Sequence, residues 1–317
     1  MSFRLERRLG AAELREQLRR EAREGLTASP KFMRSRWVWD ARGADLYDRI
    51  MRLPQYYLPQ VERPLLAAHA RDVEALVRPR RAVELGPGSS LKTPLVLDAL
   101  TGLERYVAID VSEEALEAAG RMLAQRYPGL DILGIVGDFE SGLPEPDEGT
   151  LVMCLGSTVG NMGPQERAIL FENVAQLVGT DGGLLLGLDL VKDPERIAGA
   201  YRDDLGYTDG LISNLLPILN RELGADFDVE RFRPEAEWVA ERSRMEMYVR
   251  ALEPQTVHVR DLGLTVEFAA GERLRTEIST KFTRPSAEDE LAAAGLQVSG
   301  WWTDESDEFS LCLAQQA

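Results

Sequence analysis

Val83-Glu84-Leu85-Gly86-Pro87-Gly88-Ser89-Ser90 is the stretch on which the fold turns. An apolar run over 82–86 ends in a glycine-rich turn and passes into the helical run 91–100, LKTPLVLDAL. Strand, glycine turn and helix in that order open a unit of parallel strands joined by crossover helices, and glycine lets the turn approach a ligand closely. The pattern recurs on both sides. Upstream, 61–77 (VERPLLAAHARDVEALV) reads as a helix. Downstream, apolar runs at 106–110, 132–136, 151–155 and 183–191 are separated by helical runs, among them SEEALEAAGRMLAQRY (112–127) and PQERAILFENVAQLV (164–178). Ser112 is the expected N-cap of the first of these, with Glu113 and Glu114 in its first turn, and Pro164 opens the second. Strands that are apolar throughout, without alternation, are covered on both faces, so the expected fold class is α/β with a doubly wound, Rossmann-like sheet.

After residue 191 the period changes. Residues 193–223 read as helical, and then WVAERSRMEMYVRAL (238–252), QTVHVRDLGLTVEF (255–268) and RLRTEISTKF (273–282) alternate with period two. Alternation implies antiparallel strands with one wet face. A helix (286–297) and two strands around the acidic turn DESDE (304–308) follow. The expected organisation is therefore an α/β domain formed by 60–195 and 284–317, interrupted by a mostly antiparallel α+β domain over 196–283. Residues 1–59 are expected to pack with that inserted domain.

The chain has 317 residues, 44% of them hydrophobic and 28% charged, which is an ordinary globular mixture long enough for two domains. Its 53 acidic and 37 basic residues leave a net charge of −16, a field that repels phosphate backbones and argues against a nucleic-acid partner. No apolar window reaches transmembrane length and no signal-peptide pattern opens the chain, so no membrane partner and a cytoplasmic location are expected. The two cysteines, Cys154 and Cys312, lie in apolar runs, and with only two histidines, His69 and His258, no multi-histidine or thiolate metal site is expected.

The glycine loop departs from the dinucleotide fingerprint, because Leu91 stands where the third glycine or alanine belongs. That weakens a nicotinamide reading. Three acids instead mark successive strand ends: Glu84 just before the loop, Asp110 at the end of the second strand, and Asp138, next to Phe139, after the third. A carboxylate at Asp110 suits ribose hydroxyls, and an acid beside an aromatic suits an adenine edge and face. Together they fit S-adenosylmethionine, whose lack of phosphate explains why no basic cluster is needed. The small-residue loop LGSTVGNM (155–162) leaves the fourth strand where such folds place substrates, and offers Asn161 to a carboxylate or amine. In TEIST (276–280), Glu277 and Ser279 fall on one face about 7 Å apart, able to read two polar atoms of one small ring. Met247 falls on an apolar face, and Tyr56-Tyr57 follows Leu53-Pro54 in a loop.

These segments together resemble the histidine-specific α-N-methyltransferases of ergothioneine biosynthesis. The resemblance spans nearly the whole chain, through GADLYDRIMRLPQYY, VELGPGSSLKT, GDFE, LGSTVGNMGP, LGLDLVKD, LNRELGADFDV, MEMYVR, TEISTKF and WWTDESDEFSLCLA. It implies a class I methyltransferase sheet with a separate substrate-binding domain, S-adenosylmethionine as methyl donor without a metal, L-histidine as the small-molecule substrate, three successive transfers to the α-amino group, and a monomer. It further implies that Gly86, Lys92, Asp110, Asp138 and Phe139 hold the donor. Tyr56, Gly156, Asn161 and Tyr201 would hold the amino acid's carboxylate and amine, Asn161 and Tyr201 also aiming the amine for reaction. Glu277, Ile278 and Ser279 would read the imidazole, with Met247 beside them. At position 39 the family usually carries Tyr near the reacting amine, whereas this chain has Trp39, which donates an N–H and accepts no proton. That departure leaves N-methylation of another small amino acid or amine as the alternative reading.

Overall fold

The computed structural model describes residues 3–139 and 142–317. Its strands, in chain order, are β1 (Arg4–Arg7), β2 (Lys31–Phe32), β3 (Arg81–Leu85), β4 (Arg105–Asp110), β5 (Asp131–Val136), β6 (Thr150–Cys154), β7 (Gly183–Asp189), β8 (Phe232–Val239), β9 (Arg244–Ala251), β10 (Gln255–Val259), β11 (Leu264–Phe268), β12 (Arg273–Thr280), β13 (Leu296–Thr303) and β14 (Phe309–Gln316). The chain divides into two compact units. One comprises the segment ending at Leu9 together with Leu58–Lys192 and Lys281–Ala317; the other comprises Gly10–Tyr57 and Asp193–Thr280.

The first unit is an eight-stranded sheet of order β1-β5-β4-β3-β6-β7-β14-β13. β1 and β3 to β7 run parallel, while β14 pairs antiparallel with both β7 and β13. Every residue of β3, β6 and β7 is buried, as expected of strands covered on both faces. The strand order reverses at β3, which sends β4 and β5 to one side and β6 and β7 to the other. The turns leaving β3 and β6 are therefore the two that flank the switch point, where such sheets bind ligands.

The second unit is built on a four-stranded sheet, β2-β12-β9-β8, and a separate β10-β11 hairpin. Phe227, Phe232 and Phe268 pack against each other with ring centroids 5.3–6.1 Å apart and form an aromatic centre. Asn214 ties the helix Ala41–Ile50 into this unit. Its amide donates to the carbonyl of Val38 (2.9 Å) and to Asp40 (2.7 Å), the residue that caps the helix through the Gly43 N–H.

Several expectations shift. The N-terminal residues were assigned to the inserted domain, but β1 extends the large sheet beside β5. Its charged sequence hides the strand; Arg4 pairs with Asp131 at 2.9 Å, and Gly120 and Gly134 lack the Cβ that would collide with the Phe3 ring. The run 238–252 is not one strand but the hairpin β8–β9, turned by the 3₁₀ segment Ala240–Arg242 and by Ser243 at φ 46°. The run 255–268 is likewise a hairpin, turned at Gly263 with φ 56°. Apart from Leu262 the turn residues are polar or small, and each turn marks itself only by a slip in the parity of the apolar positions, from Trp238 to Met245 and from Val259 to Leu262, which a reading of each run as one alternation passes over. The helical stretch 193–223 is three helices, Pro194–Gly199, Tyr207–Ser213 and Leu215–Leu223. Between the first two, the Asp203 carboxylate accepts the backbone N–H groups of Leu205, Tyr207 and Thr208.

Asp189 and Lys281 are both completely buried and pair at 2.7 Å, and Lys192 donates to the other oxygen of the same carboxylate. Burial pushes the Asp189 carboxyl up, but the two ammonium groups beside it hold it below its ordinary value. A carboxyl lowered in the folded state stabilises fully above the ordinary carboxylate range and loses that contribution only as pH falls through its folded value. Lys281→Met is expected to destabilise by about 3–5 kcal/mol by stranding a buried charge, and Asp189→Asn with Lys281→Met together to cost clearly less. Urea unfolding of Lys281→Met, Asp189→Asn and the double variant tests this, and strict additivity of the two single effects would refute it.

Candidate functional site

In the first unit the β3 turn is held open by backbone geometry. Gly86 (φ 62°), Gly88 (φ 53°) and Ser90 (φ 52°) all occupy the left-handed region, and the Gly86 N–H donates to the carbonyl of Ile109 at 2.9 Å. The Asp110 carboxylate, at the end of β4, accepts the N–H of Gly88 at 3.1 Å through one oxygen and that of Ser112 at 2.9 Å through the other. It braces the loop from the end of β4. Burial raises its carboxyl, and the backbone donors of Ser112 and Gly88 pull it back. A Cβ on Gly86 would lie 3.6 Å from the Phe139 ring and 3.7 Å from the Thr158 methyl group. The glycine turn, the aromatic after β5 and the loop after β6 therefore converge on one spot. Asp138, beside Phe139, is buried.

Glu84 lies elsewhere than the series of strand-end acids suggested. It is 2% exposed, and one oxygen accepts from Thr93 and Tyr106 at 2.7 Å each. Burial raises its carboxyl. It is a core brace under the loop, and Asp110 and Asp138 are the acids left at the strand ends.

The β6 loop begins with Gly156 at φ 74° and Ser157 at φ 59°, then coils into the 3₁₀ segment Thr158–Asn161. The Ser157 hydroxyl accepts the Asp189 N–H at 3.0 Å, so the loop is tied to the end of β7, and Asn161 is carried at its far end, half-buried. Lys92 approaches from the β3 side; a Cβ on Gly156 would sit 2.7 Å from its ammonium nitrogen. The lysine is paired with Glu62 at 2.7 Å.

In the second unit, β12 pairs antiparallel with β9, placing Glu277 opposite Met247 and Ser279 opposite Met245. Cross-strand partners share a face, so Glu277, Ser279, Met245 and Met247 line one side of the sheet, all buried. The register shifts between Arg275 and Glu277, an irregularity of the kind that re-aims side chains beside binding sites. Ile278 projects from the opposite face, opposite Glu246, and its N–H donates to the Ser35 hydroxyl at 3.2 Å. Its side chain thus cannot join Glu277 and Ser279 in reading one ring.

Tyr56 is 7% exposed, with its hydroxyl 3.3 Å from that of Tyr47. The two rings meet edge to face at 6.0 Å, and Trp39 packs on Tyr47 in the same way at 5.2 Å. Neighbouring Tyr57 is a core residue capped by the Arg196 guanidinium at 4.5 Å. Tyr201 follows the helix Pro194–Gly199, half-buried.

His69 stacks on Trp302 at 5.3 Å and pairs with Asp72, and His258 pairs with Asp226, so neither belongs to these groups. Burial pushes the thiols of Cys154 and Cys312 up to about 12, where they are inert. Among the described residues no group of three or more His, Cys, Asp or Glu is placed to hold a metal ion, and no helix is long and apolar enough to cross a membrane.

Sequence reasoning missed Tyr47, Thr158 and Glu62. Glu62 had a signal: it stands four residues after Leu58 and four before Leu66 on the buried stripe of the helix Leu58–Val77. Tyr47 and Thr158 had none, since their neighbours come from distant segments.

A chain of similar length from Mycolicibacterium smegmatis, a histidine N-alpha-methyltransferase, is 42% identical over 99% of both chains. The enzyme of the same name from Mycobacterium tuberculosis is 43% identical over 94% of both. The crystal structure of the PH0226 protein from Pyrococcus horikoshii shares the fold at 15% identity, with a TM-score of 0.50 over 86% of this chain and 98% of that one. A family model described as histidine-specific methyltransferase, SAM-dependent, matches residues 18–316. With a sheet of the class I methyltransferase type and a family match over nearly its whole length, the chain belongs to the histidine-specific, S-adenosylmethionine-dependent methyltransferases.

Proposed function

We propose that the protein transfers methyl groups from S-adenosylmethionine to the α-amino group of L-histidine, three times, giving the trimethyl betaine that enters ergothioneine biosynthesis. The observation that supports the histidine reading most is the β12–β9 pairing, which sets Glu277 and Ser279 on one buried face beside Met247. A buried carboxylate facing an imidazole N–H makes a charge-assisted bond. A side chain without that N–H forfeits this bond, a difference of about 1–3 kcal/mol, which is the source of the selectivity.

The donor supplies an electrophilic methyl carbon on a sulfonium. The amine lone pair forms the new N–C bond, the C–S bond breaks with its electrons returning to sulfur, and the proton leaves nitrogen before the next round. Nitrogen valence ends the series, because a trimethylated amine has no lone pair. The chain's part is positioning: Gly86, Asp110, Asp138, Phe139 and Lys92 hold the donor, while Tyr56, Gly156, Asn161 and Tyr201 hold the amino acid's backbone groups. A free α-amino group titrates near pH 8, so a fraction is neutral without assistance. Trp39 supplies no acceptor, and the Tyr47 hydroxyl, bonded to that of Tyr56, puts an oxygen beside it. Aromatic faces of Trp39, Tyr56 and Phe139 stabilise the growing cation by about 0.5–2 kcal/mol per contact. This reading also makes the protein a cytoplasmic monomer.

Incubation with S-adenosylmethionine and a mixture of the twenty amino acids, read by mass spectrometry, is expected to give histidine heavier by three methyl groups; methylation of a different amino acid would move the assignment to the alternative substrate class. Glu277→Ala is expected to raise KM for histidine by about 10–100-fold and to narrow its preference over other amino acids. Unchanged histidine kinetics in that variant would remove Glu277 from the site. Tyr47→Phe is expected to lower kcat, most at acid pH where few amines are neutral, with KM for histidine within about twofold. A kcat equal to the parent's across pH 6–9 would rule out its hydroxyl.

A further inference from the structure

Glu62 is the most buried carboxylate of the helix Leu58–Val77, at 1% exposure, and it serves two loops at once. One oxygen accepts from the Lys92 ammonium at 2.7 Å; the other accepts the backbone N–H of Gly156 at 2.5 Å. Lys92 closes the turn after β3 and Gly156 opens the loop after β6, so this single carboxylate spans the two turns that flank the switch point. The surrounding backbone is cut to fit it. A Cβ on Gly187 of β7 would lie 2.4 Å from the Glu62 oxygen and 3.1 Å from the Gly156 nitrogen, and a Cβ on Gly156 would lie 2.7 Å from the Lys92 nitrogen. Two glycines thus clear the volume of one ion pair. Simple packing of a helix on a sheet needs neither the charge nor the clearance, and a buried ion pair gives little net stability.

We propose that Glu62 is a positioning residue for methyl transfer: it aims the Lys92 ammonium at the carboxylate of the donor's methionine portion, and it sets the amino-acid loop at Gly156 relative to that point. The proposal rests on the reading of Lys92 as a donor ligand. A lysine ammonium swings on a flexible four-carbon stem. Fixing one of its three N–H directions on a buried carboxylate fixes the directions of the others before the donor arrives. Because the same carboxylate holds the Gly156 N–H, the donor's carboxylate end and the loop that carries Asn161 are placed from one origin.

Calorimetry without any amino-acid substrate tests this, using S-adenosylhomocysteine and 5′-methylthioadenosine, which lacks the amino-acid portion. Glu62→Gln keeps an acceptor for Gly156 and removes the charge. It is expected to weaken S-adenosylhomocysteine about tenfold and to leave 5′-methylthioadenosine unchanged. Lys92→Met is expected to show the same pattern, and the double variant to bind no more weakly than Lys92→Met alone, because Glu62 acts through the lysine. Should Glu62→Gln fail to fold, Gly187→Ala, which pushes the carboxylate end aside, is expected to give the same selective loss. Equal weakening of both ligands, or additive losses in the double variant, would mean a merely structural role and overturn the proposal. Unchanged binding in Glu62→Gln with weakened binding in Lys92→Met overturns the proposal alone. Unchanged binding in Lys92→Met overturns the donor reading of Lys92 and the proposal with it.

Discussion

One carboxylate, Asp189, bonds the two lysines that stand where the chain leaves the sheet unit and where it returns, Lys192 and Lys281. The arrangement extends to the backbone: the Phe282 N–H donates to the Asp189 carbonyl and the Val191 N–H to the Phe282 carbonyl, both at 2.8 Å. An insertion of nearly ninety residues between adjacent pieces of one unit has to close the sheet unit at both crossings. A charge with no exposure must be paired, and here the pairing draws the departing and returning segments together. The Asp189 N–H also holds the Ser157 hydroxyl, so the same residue reaches the loop that carries Asn161.

A similar economy runs through the rest of the sheet unit. Acids brace the turns that leave the strands: Glu84 under the β3 turn through Thr93 and Tyr106, Asp110 on the Gly88 N–H, Glu62 on Lys92 and Gly156. Glycine turns are loose by themselves, and their conformational freedom is what lets them pass close to a ligand. Fixed acceptors remove that freedom in advance, which lowers the ordering cost of binding. The second unit places its buried polar side chains with strands instead of turns. Alternation along β12 sends Glu277 and Ser279 one way and Ile278 the other, and pairing with β9 surrounds the acid and the hydroxyl with methionine.

Local pattern carried much of this. The buried parallel strands, the glycine turn, the acid at 110 and the pairing of 277 with 279 follow from period and residue type, because side-chain direction in a strand is fixed by parity and a strand covered on both faces has no polar side. The inserted, mostly antiparallel segment was legible from the change of period near residue 191. Hairpin turns inside 238–252 and 255–268 were not, since each shows only as a one-residue slip in the parity of the apolar positions.

What the sequence by itself determined was the type of each element, the order of strand and turn, and the family to which the motifs belong. Only the tertiary structure decided that Glu84 and Glu62 face inward, Glu84 to the core and Glu62 to Lys92 and Gly156, through partners 9 to 94 residues away. It also decided that the charged strand Arg4–Arg7 joins the large sheet, and that Tyr47 brings a hydroxyl to Tyr56 next to Trp39. The physical reason is the same in each case. Parity and propensity act over a few residues, whereas a buried polar group is satisfied by whatever the fold brings within hydrogen-bond distance, and that is a property of the packed chain.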